Sequence, residues 1–553
     1  MTIRVPVGEI GPEGGRRWPA PPPALPPRFA VPREGAALAG APDGDFLGWG
    51  DGAGACSGRG AASAESPAPA AAGGAPRVDL TYTIVEGPQL EVANVFVAGY
   101  ERTRLGVIER EITVQPGLPL SEAQVFETQR RLYNLGIFSS VQVAPQNPDG
   151  ADPNKTMVVL VQEAKTLTLA YGLGFEAQRI GNASSGPTGT VLTFAPRATF
   201  EIAKSDLTGR ADTLSFKIRI STLQGRGVLD YTHPNAFGDK HLSLEITAYA
   251  DKTRDIQTFT STREEGAVQL TDKLTSYTSI LGRYFYRHVQ ASDLQIDPEE
   301  IPLFSQPTLV SGFGASYVRD RRDNAADPTH GEFDNADLSV AAKPLASSAN
   351  FTRFFFQDST YFPFGRHLVF ARSTSFGLQS PFSGSVSNDI PLPERFFAGG
   401  GGSLRGFGLN QAGPRDPLTG FPIGGLALLE FNQDLRFPMH LPWIGDKLGG
   451  GIFYDAGNVY SSFNAITLRL APATPIFSST SPTTCIENCT NQLNYFSHTI
   501  GFEFRYATPV GPISIDLGYQ LNPALFLLPA PSGGMMVQRL PAFQFFVNLG
   551  GSY

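Results

Sequence analysis

The chain has 553 residues, of which 41% are hydrophobic and only 17% charged, with 60 Gly, 45 Pro and 40 Phe. A soluble globular chain carries about 25% charged residues, so this one is poor in charge. A helical membrane bundle is excluded: a spanning helix needs about 18 consecutive apolar residues, and the longest apolar stretches, 157–161 and 424–429, are strand-sized. The formal charge of −8 argues against a basic surface for nucleic acid. Three cysteines supply neither a disulfide framework nor a four-thiolate zinc site. A large soluble β protein or a membrane β-barrel remains.

Residues 1–77 are dominated by Pro, Ala and Gly, as at Pro21-Pro22-Pro23 and Ala70-Ala71-Ala72, and hold no sustained period of 2 or 3.6. Disorder is expected there. The segment also lacks the apolar core of a secretory signal. Because the chain from residue 78 onward reads as an exported protein, the expectation is a wrongly placed start with the true signal upstream, rather than a genuine tail.

Residues 91–166 have a different character. Val92, Val95 and Val97 form a strand-like run that ends at Gly99, and an amphipathic stretch over 104–112 is closed by Pro116-Gly117. Ser121 is placed to cap a second helix. Val125, Leu132 and Leu135 follow at helical spacing, and Gly136 terminates it. Strands over 139–143 and 156–162 flank the turn Pro148-Asp149-Gly150. The order β-α-α-β-β predicts a small domain with one modest core.

From residue 167 the period is 2. Leu167, Leu169, Tyr171, Leu173 and Phe175 alternate with Thr168, Ala170, Gly172 and Gly174. Phe502, Phe504 and Tyr506 oppose Glu503 and Arg505, and the last run sets Phe543, Phe545, Val547, Leu549 and Tyr553 on one face. Alternation alone fits a soluble sandwich or a barrel with a wet lumen. Length favours the barrel: the residues beyond 166, at about 24 per strand and connection, make about 16 antiparallel strands in a sheet closed on itself. A terminal aromatic suits the girdle of such a barrel.

The Gly-rich run Gly399-Gly400-Gly401-Gly402 precedes Ser403-Leu404-Arg405-Gly406-Phe407. Such a backbone folds sharply and approaches a wall closely. Arg405 offers a rigid, always-charged fork suited to a carboxylate. Downstream, Phe453 and Asp455 share a strand face, and Gly457 leaves room beside them. Between these segments, Gly424-Gly425 precede Asp434-Leu435-Arg436-Phe437-Pro438.

These segments resemble motifs of the outer-membrane insertase superfamily of bacterial surface antigens. Leu404 to Phe407 match its Val/Leu-Arg-Gly-Tyr/Phe tetrad in the sixth extracellular loop, and 453–457 its Phe-x-Asp-x-Gly strand. The third segment is similar to its Gly-Gly…Glu-x-Arg-x-Pro strand, with Asp434 in place of Glu and so a shorter reach. Tyr317-Val318-Arg319-Asp320 through Pro328 to Gly331, and Arg505-Tyr506 through Pro509 to Asp516, match further. The 91–166 unit resembles a POTRA (polypeptide-transport-associated) domain, with 131–138 its most typical segment. Residues 78–90 resemble the closing strand of a preceding POTRA.

The resemblance implies a bacterial outer-membrane barrel over 167–553, about 16 strands, with the POTRA domain in the periplasm. It implies a lumen latch of Arg405, Gly406 and Phe407 on Asp455 and Gly457, supported by Gly424, Gly425, Asp434 and Arg436. It also implies a weak seam between first and last strands, at Leu167, Tyr171, Gly172 and Gly174 facing Phe543, Phe545, Gly550 and Tyr553. The expected function is insertion or translocation of unfolded β-barrel or β-rich clients, with outer-membrane lipid and periplasmic accessory proteins as partners. A secretion pore dedicated to one partner and a passive receptor or channel are the alternatives. Arg319 to Asp323 read equally as a solvated charge run or as lumen lining. Cys485 and Cys489 lie in a Ser/Thr/Pro-rich loop, where a small-loop disulfide is a candidate in an oxidising compartment. No nucleophile elbow, phosphate loop, dinucleotide fingerprint or His-Glu-x-x-His motif occurs, so no enzyme activity, cofactor, metal or nucleic acid is expected.

Overall fold

The structure, a computed structural model, describes residues 89–553 apart from 149, 151, 182–185, 366–367, 440–446, 480–483, 509–510, 531–532 and 550–553. The segment 1–77, all but the end of 78–90, and the seam residues Gly550 and Tyr553 lie outside the described residues.

In the first unit the order is β1 (Glu91–Ala98), α1 (Leu105–Glu109), α2 (Glu122–Asn134), β2 (Phe138–Pro145) and β3 (Asn154–Glu163). The sheet order is β1-β3-β2, with β1 parallel to β3. Its centre is Val92, Val114 and Met157, with Val95, Ile112, Leu120, Val125 and Val143 packed against them. Helix α1 is shorter than the expected 104–112, consistent with Gly106 and the β-branched Val107, Ile108 and Ile112, which are weak helix formers. Helix α2 begins after Ser121, whose carbonyl accepts from the N–H groups of Gln124 and Val125. It stops at Asn134, so Leu135 falls outside it, and Gly136 takes the left-handed backbone that ends helices.

The second unit opens with β4 (Leu167–Gly181), β5 (Thr190–Ser205), β6 (Thr213–Ser221) and β7 (Gln224–His233). Next come β8 (Leu242–Thr253), β9 (Thr260–Lys273), β10 (Thr278–Ser292), the short α3 (Ile301–Phe304) and β11 (Thr308–Asp320). Then follow β12 (Gly331–Ala341), β13 (Phe351–Phe364), β14 (Leu368–Pro381), β15 (Ala427–Pro438) and β16 (Leu448–Tyr460). Two small hairpins, β17 (Ile476–Phe477) with β18 (Cys485–Glu487) and β21 (Leu525–Pro529) with β22 (Met535–Arg539), sit in loops. The remaining strands are β19 (Ser497–Thr508), β20 (Gly511–Gln520) and β23 (Phe543–Leu549). Among the described residues, sixteen of these strands form one antiparallel sheet running in chain order from β4 to β23.

Strand β15 shows why the sheet curls. Its inward side chains are Glu430, Asn432, Asp434 and Arg436, all buried, while Leu429, Phe431, Gln433 and Leu435 face out. Outward positions elsewhere carry exposed apolar groups such as Leu173, Ile452, Phe502 and Ile515. Buried polar groups inside and bare apolar groups outside invert a soluble fold and match a lipid-facing barrel. The edge strands β4 and β23 approach one another. No backbone ladder joins them among the described residues.

Candidate functional site

Between β14 and β15 the long segment 382–426 turns back into the barrel and buries its tip. Two successive turns shape the tip. The Ser403 N–H donates to the Gly400 carbonyl at 3.2 Å, and the Phe407 N–H to the Leu404 carbonyl at 3.0 Å. Arg405 is thereby presented at the apex and is 0% exposed.

Neighbouring strands supply its partners. Register sets Asp455 of β16 opposite Asn432 of β15, and Phe453 opposite Asp434. Arg405 donates from Nε to Asp455 Oδ2 and from Nη2 to Asp455 Oδ1, both at 2.7 Å, and its backbone N–H reaches Oδ2 at 3.0 Å. Nη2 also meets Asp434 Oδ1 at 2.7 Å, so the shorter aspartate still makes the contact. The guanidinium lies 3.5 Å from the centroid of the Phe453 ring, a cation–π distance. Asn432 Nδ2 donates to the Ser403 carbonyl at 2.7 Å and to Asp455 Oδ1 at 3.0 Å. Arg436 stands 3.6 Å from Asp434 and offsets the second acid.

Two of the glycines at the latch show why no side chain fits there. A Cβ on Gly406 would lie 2.0 Å from Thr499 Oγ1 on β19. Gly457 has φ +138°, and a Cβ there would lie 2.0 Å from the Leu429 carbonyl oxygen. Phe407 and Leu404 are buried with Phe396, Ala412, Val459 and Phe526 in one apolar cluster. Gly424 and Gly425 precede β15 rather than joining it. Gly425 bridges back to Phe396 through paired backbone hydrogen bonds and closes the two arms of the loop.

The base of the same loop is fixed elsewhere. Glu394 accepts from Arg287 Nη1 of β10 at 2.9 and 2.8 Å, and Arg263 of β9 donates to the Pro393 carbonyl. Desolvation alone would raise the Glu394 carboxyl, but Arg287, Arg263 and Arg353 outweigh it and hold its pKa down at about 2. Further along, Arg415 spends its guanidinium on the carbonyls of Pro187, Gly420 and Gln411 at 2.8–3.0 Å. Burial lowers its pKa to about 10.

The seam residues lie apart from this cluster. Leu167, Tyr171 and Phe543 are exposed on the outer face, with Phe545 half-buried beside Phe543. Gly172 and Gly174 pair with Thr199 and Arg197 of β5. Arg319 and Asp320 end β11, where Arg319 meets Glu332 at 2.5 Å and Arg322 meets Asp320 at 2.9 Å, as partly buried ion pairs. Cys485 and Cys489 are joined in a disulfide, with Cα atoms 5.8 Å apart. Asn432, Thr499 and Glu394 join the site without having been singled out by any motif. Asn432 was findable, since it sits two residues before Asp434 on the same face.

Comparison with known proteins fits this architecture. Residues 206–524 match the Omp85 superfamily domain, and 90–164 match the POTRA family described as a surface antigen variable number repeat. The outer membrane protein assembly factor BamA of Neorickettsia risticii is 24% identical over 398 residues, 69% of this chain and 49% of that protein. Its counterpart in Nitratidesulfovibrio vulgaris is 22% identical over 450 residues, 80% of this chain and 50% of that protein. The chain thus spans about half the length of these curated relatives. The crystal structure of BamA from Haemophilus ducreyi lacking POTRA domains 1-3 superposes with a TM-score of 0.63 at 17% identity, covering 83% of this chain and 84% of that one. With the Omp85 domain spanning more than half of its length, this outer-membrane β-barrel protein belongs to the Omp85 superfamily.

Proposed function

We propose that the chain inserts or translocates β-rich client proteins at the outer membrane by pairing client strands with the edges of its own sheets. The observation that carries this reading is the seam: β4 and β23 approach each other, yet no backbone ladder joins them among the described residues. An edge strand presents a row of free N–H and C=O groups that template another strand, largely without regard to sequence. The POTRA sheet offers further edges at β1 and β2. Its relatives' name, outer membrane protein assembly factor, supports the same role. The lumen holds a buried, ion-paired loop, which favours this reading over an open conduit for one secreted partner or a passive channel. Arg405, Asp455 and Asp434 act in it as the latch that holds the loop.

The test is crosslinking across the seam. Cysteine pairs scanned between Leu167–Tyr171 and Phe543–Leu549, once oxidised, are expected to stop insertion of an unfolded β-barrel substrate into liposomes, and reduction to restore it. Undiminished insertion by the crosslinked protein overturns strand addition at the seam.

A further inference from the structure

The loop is anchored at two places that lie far apart around the sheet. Its tip is held by Asp434 on β15 and Asp455 on β16. Its base is held on β9 and β10, by Arg287 on Glu394 and by Arg263 on the Pro393 carbonyl. Five strands, β11 to β15, stand between β10 and β16 in the sheet.

The base is a built attachment. Glu394 and Gln379 are buried, and Gln379 Nε2 of β14 donates to the Glu394 carbonyl at 2.6 Å. Arg287 also reaches Glu265 of β9 at 2.5 Å, so the acid is tied into an ion cluster rather than a single pair. The Arg353 guanidinium lies 4.8 Å from the Phe396 ring centroid. Beside these, Ile390 is fully buried with Phe285, Val310 and Phe351. Leu404, next to Arg405 at the tip, is buried as Glu394 is at the base, so both ends of the intervening stretch are fixed.

We infer that this loop is a brace across the lumen, with Glu394 as the positioning residue that links it to the N-terminal arc of the barrel. The geometry gives the reason. Strands β4 to β10 form the arc on one side of the seam, and β16 to β23 the arc on the other. Separating β4 from β23 moves the two arcs relative to each other. A segment fastened to β10 at one end and β16 at the other resists that motion. Release of the base frees the N-terminal arc while Arg405 stays docked on Asp455. The brace rests on the proposed opening of the seam, and its readouts need no client.

The experiment compares Glu394→Gln, Arg287→Ala and the double variant with the parent, each carrying one cysteine pair across the seam. Heat-modifiable gel migration confirms a folded barrel. Two rates are then read: spontaneous trapping of the open seam by a thiol reagent, and proteolysis at 383–397 against 399–413. A charge-assisted contact of this kind is expected to shift seam trapping about 10- to 100-fold. The expected result is faster trapping, a newly cleaved base and an unchanged tip, with the double variant no worse than Arg287→Ala alone. Glu394→Asp, which keeps the charge, is expected to fall between parent and Glu394→Gln, and is the variant read if the amide does not fold. Exposure of the base without faster trapping overturns the brace, as does an unchanged base. If trapping accelerates as expected while client insertion is unaffected by seam crosslinking, the brace stands and the insertion mechanism falls.

Discussion

Replacing Arg405 by alanine leaves Asp434 and Asp455, 0% and 1% exposed, without their principal cation. Three side-chain hydrogen bonds, each at 2.7 Å, and the Phe453 stacking vanish together. Removing one member of a buried ion pair costs about 3–5 kcal/mol, because the other charge stays buried and uncompensated. At about 1.4 kcal/mol per decade, the undocked loop becomes roughly two to three and a half orders of magnitude more populated. The sixteen-strand ladder does not use this side chain, so the barrel is expected to stay folded and heat-modifiable. A broad-specificity protease should then cut within 399–413 of the detergent-solubilised variant and spare the parent. Arg405→Lys keeps a charge but not the two-pronged fork and should fall between them. Parent-like protection of 399–413 in a folded Arg405→Ala barrel refutes the latch.

Gly406→Ala is expected to loosen the docked tip by about 1–3 kcal/mol through collision with Thr499. Thr499→Ala in the same chain should recover part of the loss in the protease assay. Gly457→Ala combines a left-handed φ with a carbonyl at 2.0 Å and should lower the thermal midpoint, whereas Gly174→Ala, with open space around its Cβ, should leave it nearly unchanged. Equal midpoints for the two would refute the packing argument. Glu394 has its pKa depressed from 4.5 to about 2 by Arg287, Arg263 and Arg353, against the opposing effect of burial. A depressed folded value means the stabilisation is complete above pH 4.5 and fades as pH falls toward 2. Pepsin should therefore leave 390–397 intact at about pH 5 and attack it progressively below about pH 4. Cleavage already at the higher pH would contradict the ion cluster at the base.

Much of the barrel was legible because lipid and lumen write themselves into a period of 2, as β15 shows with Glu430, Asn432, Asp434 and Arg436 facing inward. The pairing of Arg405 with Asp455 was reachable through the resemblance, which implies that the Gly-rich loop enters the lumen, where a fork-shaped cation needs an inward carboxylate. The Glu394–Arg287 contact was not reachable. Its partners are 107 residues apart, on a loop base and a distant strand. Which lumen groups meet across the interior depends on strand tilt and stagger in the curled sheet, and alternation records neither. The extent of α1 was misjudged for a local reason. Apolar spacing over 104–112 looked helical, but Gly106 and the β-branched residues around it carry little intrinsic helicity.

The use of charge at both ends of the loop has a physical rationale. A loop held only by apolar packing would loosen gradually, each side chain leaving the lumen wall at its own small cost. A buried arginine shared by two aspartates does not loosen in that way. Intact, such a cluster is worth little more than a well-packed apolar substitute, because the charges gave up their hydration to form it. Half-broken, it strands an acid in a dry site, which is costly. Leaving altogether restores water to every partner. The partly detached states of each cluster are thus the unfavourable ones, and each anchor has two arrangements separated by a barrier rather than a continuum. Asp434, Asp455 and Asn432 enforce this at the tip, and Glu394 repeats it at the base with Arg287 and Glu265. An anchor that must stay seated while the barrel is idle, and at the base clear its seat completely when the arcs separate, is better served by such contacts than by a larger apolar patch.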